Sequence, residues 1–248
     1  MIILKSRREI DRMRVASSIV AEILEGLRLL VQPGVTTFDL DRYASDEAQK
    51  RNAKCAFRGY HKYPSSLCCS PNDQVVHGIP NKNPLSSGDI LSLDFGVVYD
   101  DFYGDAAITV PVGAVSPEAA KLIAVTERSL YAAIDMAVPG NRLGDVSSAV
   151  QSYVESRGFS VVRDFVGHGI GRSLHEDPQI PNYGQPGKGV RLKPGMVLAI
   201  EPMINEKSFE VRVLQDNWTV VTCDGGLSAH FEHTVAVTEN GPEILTRL

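Results

Sequence analysis

The sequence predicts an α+β fold made of two related halves, and three observations carry this. Helical periodicity with start and stop signals occurs in two pairs of segments. Apolar runs of strand length, bounded by turn residues, follow each pair. The spacing of landmarks in the first half then recurs in the second. Pro33-Gly34 precedes Asp39-Leu40 as Pro139-Gly140 precedes Asp145-Val146, and Gly88 precedes Asp94 as Gly195 precedes Glu201. Pro33 to Pro139 is an offset of 106 residues, and Asp94 to Glu201 is 107. Each half thus ends a buried strand with a carboxylate, which places Asp94 and Glu201 together near a pseudo-twofold axis.

Each element has a local reason. Ile10, Met13, Val20, Ile23, Leu24, Leu27 and Leu30 form one stripe of a helix from Glu9 to about Val31. Pro33-Gly34 stops it, and Thr36 or Thr37 can cap a second helix running towards Arg51. Leu91–Gly96 and Tyr103–Asp105 flank the turn-like Tyr99-Asp100-Asp101 and read as a β-hairpin. The expected register sets Asp94 directly opposite Asp105, both on one face. Ser116-Pro117-Glu118 is a strong helix start, with the helix running to about Ala137. Asn141 can cap a fourth through Arg157. A strand at Val161-Val162, a long loop holding His175, and strands at 196–201, 210–214, 218–222 and 231–237 complete the reading.

Composition narrows the function. With 43% hydrophobic and 22% charged residues among 248, the chain reads as an ordinary globular protein. No apolar run approaches the roughly 18 residues that span a bilayer, and the first residues turn charged too soon for a signal peptide. A cytoplasmic address without membrane attachment is expected. Cys55, Cys68, Cys69 and Cys223 form no CxxC pair, which fits reduced thiols. A net charge of -5 disfavours DNA or general nucleic-acid binding. The basic cluster Lys5, Arg7, Arg8, Arg12 and Arg14 reads first as a solvated helix face, with weak ribosome association as the sharper alternative.

Five residues stand out chemically: Asp94, Asp105, His168, Glu201 and Glu232. A charge within or ending an apolar strand must be paired, neutralised or bound to metal. Four carboxylates are too many for one divalent ion, because their repulsion would raise their pKa values. Two divalent ions balance the charge, and one imidazole among oxygen ligands suits Mn, Fe, Co or Zn better than Ca.

The chain resembles the type I methionine aminopeptidases of the pita-bread metallopeptidase group. The resemblance rests on Val76-His77-Gly78-Ile79-Pro80, Leu93-Asp94-Phe95-Gly96, Gly104-Asp105, Gly167-His168-Gly169-Ile170-Gly171, Ile200-Glu201-Pro202 and Phe231-Glu232-His233-Thr234, in that order, and on Tyr60-His61-Lys62-Tyr63-Pro64. It implies one pita-bread domain over 1–248, with pseudo-repeat halves at roughly 9–110 and 116–240 and a curved central antiparallel sheet flanked by helices. It further implies that Asp94 chelates one metal, that His168 and Glu201 hold the other, and that Asp105 and Glu232 bridge them. Glu201 then shuttles a proton, His175 stabilises the oxyanion and His77 contacts the amide beyond the scissile bond. Tyr60, Tyr63, Cys68 and Trp218 surround the methionine side chain, with Phe57 and Leu174 as additions. His230 and His233 are expected to buttress Glu232. Leu174 and Gly96 depart from relatives that carry phenylalanine and a hydroxyl residue there.

The activity implied is removal of the initiator methionine from nascent proteins with a small second residue, by a monomer. Two rivals are a related peptidase that cleaves before proline and a non-catalytic pita-bread binding module. The first usually has an extra N-terminal domain, and the second should have lost metal ligands.

Overall fold

Ser6 opens the first helix, and the cap explains where it begins. In the computed structural model, which describes residues 1–247, α1 spans Arg7–Leu30. The Glu9 N–H donates to Ser6 Oγ at 3.4 Å, and the Ser6 N–H donates back to the Glu9 carboxylate at 3.0 Å. This reciprocal cap lies ahead of the apolar stripe, so periodicity alone set the start two residues late. Helix α2 (Thr37–Lys50) is capped by Thr36, and α3 (Pro117–Asp135) by Ser116. Helix α4 (Leu143–Glu155) starts one residue later than a cap at Asn141 would place it. Asn141 instead donates its side-chain amide to the Met136 carbonyl at 3.0 Å, closing the end of α3. The Arg142 N–H is satisfied by the Asp145 carboxylate at 2.7 Å.

The strands up to α3 are β1 (Lys54–Cys55), β2 (Cys68–Pro71), β3 (Gln74–Val76), β4 (Ile90–Tyr99) and β5 (Phe102–Pro111). After α4 come β6 (Ser160–Val161), β7 (Gly167–Gly169), β8 (Glu176–Ile180), β9 (Val197–Ile200) and β10 (Met203–Asn205). The last five are β11 (Val211–Val213), β12 (Val220–Thr222), β13 (Ser228–His230), β14 (Glu232–Thr238) and β15 (Gly241–Ile244). The central sheet runs β1-β4-β5-β14-β9-β7-β8, with β2 added at β4 and β15 at β14; its pairings are antiparallel. Two three-stranded sheets, β13-β10-β6 and β11-β12-β3, lie beside it.

Side-chain alternation separates the two faces of this sheet. Leu91, Leu93 and Phe95 of β4 pack with Val20, Ile23, Leu27 and Leu40 of α1 and α2. Leu198 and Ile200 of β9 and Val235 of β14 pack with Leu122, Leu130, Val146 and Val150 of α3 and α4. The helices therefore cover one face, and the residues that alternate with these core positions face the other way.

The hairpin register differs from expectation. Tyr99 pairs with Phe102, so the turn is only Asp100-Asp101, whose φ values of 50° and 63° match a two-residue hairpin turn. Asp105 therefore lies opposite Gly96, and Asp94 opposite Ala107. The slip is two residues, so both carboxylates stay on one face, set diagonally. The long loop after His168 also differs: His175 sits immediately before β8. That strand, Glu-Asp-Pro-Gln-Ile, is a polar edge strand with a proline, and it lacks the apolar alternation that marks buried strands.

Candidate metal centre and active site

Register across adjacent strands assembles the candidate ligands. Asp94 on β4 and Glu232 on β14 both lie opposite Ala107 of β5, and Asp105 is two residues from Ala107. Ala199 of β9 pairs with His168 of β7 and with Thr234 of β14, and Glu201 is two residues beyond it. A two-residue step preserves the face, so all five side chains share the face away from the helices. Glu201 and Glu232 also sit where the chain leaves one sheet for another. Glu201-Pro202 links β9 to β10, and Phe231 links β13 to β14.

The Gly-His-Gly run has a steric cause. A Cβ at Gly167 would lie 2.4 Å from the Ala199 carbonyl oxygen, and one at Gly169 would lie 2.1 Å from that of Asp177. Only glycine lets β8 and β9 close on both sides of His168. His168 Nδ1 then donates to the Gly169 carbonyl oxygen at 2.9 Å, which leaves Nε2 as the free lone pair.

The electrostatics are those of a cation site. Ligand atoms of Asp105, His168 and Glu232 lie within 4.8 Å of one another, and all three residues are buried. Asp94 and Glu201 border the same cavity. Asp94 Oδ1, Asp105 Oδ1 and Glu232 Oε1 are buried and have no hydrogen-bond partner among the described residues. Burial pushes the Asp94 carboxyl up to about 7, opposed by His230 and reinforced by Glu201. Burial also raises Asp105 and Glu232, each with further repulsion from neighbouring carboxylates, and it raises Glu201. The histidines supply little balancing charge near neutral pH, since burial pulls His168 down to about 3 and also lowers His230. Among the described residues, Glu201 has only histidines as ionic neighbours, His168 Nε2 at 3.5 Å and His230 Nε2 at 3.6 Å. Orphaned oxygens, clustered carboxylates and neutral imidazoles fit divalent cations.

A cavity of about 260 Å³ opens over this face. It is lined by Asp94, Asp105, His168, Glu201 and Glu232, by His77 and His175, and by Phe57, Tyr60, Tyr63, Cys68, Leu174 and Trp218. His61, also in the lining, has a left-handed backbone (φ 45°). Tyr63 is held by hydrogen bonds from its hydroxyl to the carbonyls of Gly78 (2.9 Å) and Leu67 (3.3 Å), and its ring meets Trp218 edge-on at 5.0 Å. Tyr60 Oη and His175 Nδ1 are 2.6 Å apart. His77, also left-handed at φ 60°, is packed between Phe165 and Trp218, and burial takes it down to about 4.

Sequence reasoning missed the supports of these groups. Phe165 braces His77 but reads as an ordinary apolar residue beside a strand. Thr234 bonds the backbone of Asp105 twice: its hydroxyl donates to the carbonyl at 2.7 Å and accepts from the N–H at 3.2 Å. Its position two residues after Glu232 on an alternating strand was the available signal. Thr234→Val is expected to cost about 1–3 kcal/mol in urea unfolding, because it orphans buried backbone groups. His233 turns away from the cavity, bonding Thr246 Oγ1 at 2.9 Å. His230, 1% exposed, approaches Glu201 rather than Glu232. The basic N-terminal cluster is largely engaged within the chain: Lys5 with Glu176, Arg12 with Asp100, and Arg14 with Asp11 and Glu243.

The profile of Metallopeptidase family M24 matches residues 11–239. The chain is 55% identical to a methionine aminopeptidase of Clostridium perfringens (strain 13 / Type A) over 246 residues, which cover 99% of each. It is 53% identical to methionine aminopeptidase 1 of Bacillus subtilis (strain 168), with both chains covered completely. Its fold superposes on the crystal structure of methionine aminopeptidase from Thermotoga maritima with a TM-score of 0.99, at 50% identity and complete coverage of both chains. This chain accordingly belongs to metallopeptidase family M24, in its methionine aminopeptidase branch, and has the pita-bread fold.

Proposed function

We propose that this chain hydrolyses the first peptide bond of nascent proteins, removing an N-terminal methionine when the second residue is small. One observation carries the reading: the five candidate metal ligands line a single cavity whose other walls are mainly aromatic rings, imidazoles, a leucine and a thiol. Such walls suit a flexible thioether. In this reading Asp94 would hold one metal ion, His168 and Glu201 would hold a second, and Asp105 and Glu232 would be shared between the two. Two divalent ions, drawn from Mn, Fe, Co and Zn, would supply Lewis acidity and lower the pKa of water.

The chain's own groups do the remaining work. Glu201 takes the proton of the attacking water and passes it to the departing amine. Tyr60, donating to His175 Nδ1, leaves the Nε2 proton of His175 free for the developing oxyanion. His77, neutral near pH 7, contacts the amide beyond the scissile bond. Phe57, Tyr60, Tyr63, Cys68, Leu174 and Trp218 enclose the methionine side chain. We further propose a cytoplasmic monomer that binds neither DNA nor membrane; no described helix is long and apolar enough to cross one. With so much of the basic cluster paired internally, any ribosome association is weak.

The test is hydrolysis of Met-Ala-Ser, Ala-Ala-Ser and Ala-Pro-Ser by metal-stripped protein refilled with each metal. Metal-restored preference for Met-Ala-Ser is expected. Preference for Ala-Pro-Ser would transfer the chain to the proline-directed branch. Silence with every metal, in folded protein, would leave a binding module.

A further inference from the structure

Across β7 and β8, behind the turn that carries Leu174 and His175, lies a buried ion pair that the proposed chemistry does not use. Lys5 Nζ donates to Glu176 Oε2 at 2.5 Å, with side-chain exposures of only 4% and 8%. The other oxygen, Glu176 Oε1, accepts the backbone N–H groups of Arg172 (2.8 Å) and Ser173 (3.3 Å). One carboxylate therefore holds the turn on one side and a lysine from the N-terminal segment on the other.

The surrounding backbone is shaped to this pair. A Cβ at Gly171 would lie 2.5 Å from Lys5 Cε and 2.6 Å from Glu176 Oε1, so the pair fills the space that glycine leaves. Gly171 is itself held from both directions: Tyr103 N–H donates to its carbonyl at 2.9 Å, and its N–H donates to the Ser173 carbonyl at 3.2 Å. Lys5 is anchored too, with its N–H donating to the Gly195 carbonyl at 2.7 Å and Nζ donating to the Ile3 carbonyl at 3.1 Å. The turn thus has little freedom at Gly171, Arg172 and Ser173, and the next two residues face the cavity. Leu174 is 3% exposed, and the His175 ring centroid lies 4.2 Å from that of His168.

We propose that Lys5 and Glu176 are positioning residues: their buried ion pair, seated against Gly171, sets the turn that presents His175 and Leu174 to the cavity. The role of His175 rests on the aminopeptidase reading above. Removing the lysine leaves a buried, unpaired carboxylate, which must move towards water or take up a proton. Either response shifts the turn, and a displacement near 1 Å of a positioned group costs about 100-fold in rate. A purely structural pair would lower stability and leave the turn and its chemistry intact.

The experiment uses full-length Lys5→Met, Glu176→Gln and Lys5→Arg proteins, each refilled with Mn(II). Lys5→Met and Glu176→Gln are expected to lower kcat on Met-Ala-Ser by about 10- to 100-fold, with KM and Mn(II) affinity nearly unchanged. Lys5→Arg should recover most of the loss. In a His175→Ala background, Lys5→Met should add no further loss, since both act through one group. Amide hydrogen exchange at Arg172 and Ser173 should accelerate by about tenfold or more in Lys5→Met while core amides are unaffected. Full additivity with His175→Ala, or unaltered exchange at Arg172 and Ser173, would overturn the proposal. Should Lys5→Met not fold, Glu176→Gln keeps the side-chain volume and carries the same tests. Absence of peptide cleavage by the unsubstituted protein would refute the aminopeptidase reading alone, because the exchange measurement still decides whether the pair holds the turn.

Discussion

Glu201→Gln is expected to lower kcat on Met-Ala-Ser by about 1,000-fold, within the range that general acid–base groups supply. Glutamine keeps the shape of the side chain but cannot carry a proton from water to the amine. The apo protein should lose no stability, because the change removes a carboxyl group whose charged form burial disfavours. Glu201 also stands among the proposed ligands, so Mn(II) affinity must be measured by calorimetry and turnover compared at saturating metal. Activity above about a tenth of the unsubstituted rate at saturation, well outside the range for such a group, would remove Glu201 from the proton-transfer role.

Stripping divalent ions is expected to abolish peptide hydrolysis and to change how stability depends on pH. In the metal-free protein Asp94 titrates near 7, against about 3.9 in an unfolded chain. Between these values the folded state binds the extra proton, so stability falls as pH rises from about 4 to about 7. Asp105, Glu201 and Glu232, raised by burial, act in the same direction. Bound cations replace those protons, so the fall should be largely suppressed in metal-loaded protein. At a free metal concentration 100 times Kd the added stability is about 2.7 kcal/mol. The check is urea unfolding at pH 5, 6 and 7 with and without Mn(II). Stability of the stripped protein that rises over this interval would contradict the site's electrostatics.

The parts of this molecule that were legible in the sequence share a physical basis. The helices announce themselves through apolar stripes and caps such as Ser116-Pro117, whose effects are local. Asp94, Asp105, Glu201 and Glu232 were visible because a charge in or at the end of an apolar strand is expensive without a partner. The diagonal of Asp94 and Asp105 was not visible. It depends on whether the turn holds two residues or more, and Tyr99, which reads as a turn residue, pairs in the strand. Strand β8 escaped because its hydrogen bonds, and not its side chains, make it a strand. Phe165, Thr234 and the Lys5–Glu176 pair matter only through neighbours distant along the chain, so no window of sequence contains the reason for them.

The seam where β5 meets β14 has a consequence for the order of events during synthesis. Asp94 and Asp105 are translated early, and Glu232 comes 138 residues after Asp94. At roughly 5–20 residues per second, about 7–28 seconds separate the two. Throughout that interval an emerging chain has an incomplete set: Asp105, His168 and Glu201 follow Asp94 in turn, and Glu232 comes last. A fragment that stops short of Glu232 lacks one of the five proposed ligands, so it is expected to be inert, and only a chain translated past Glu232, at the start of β14, can carry the full set.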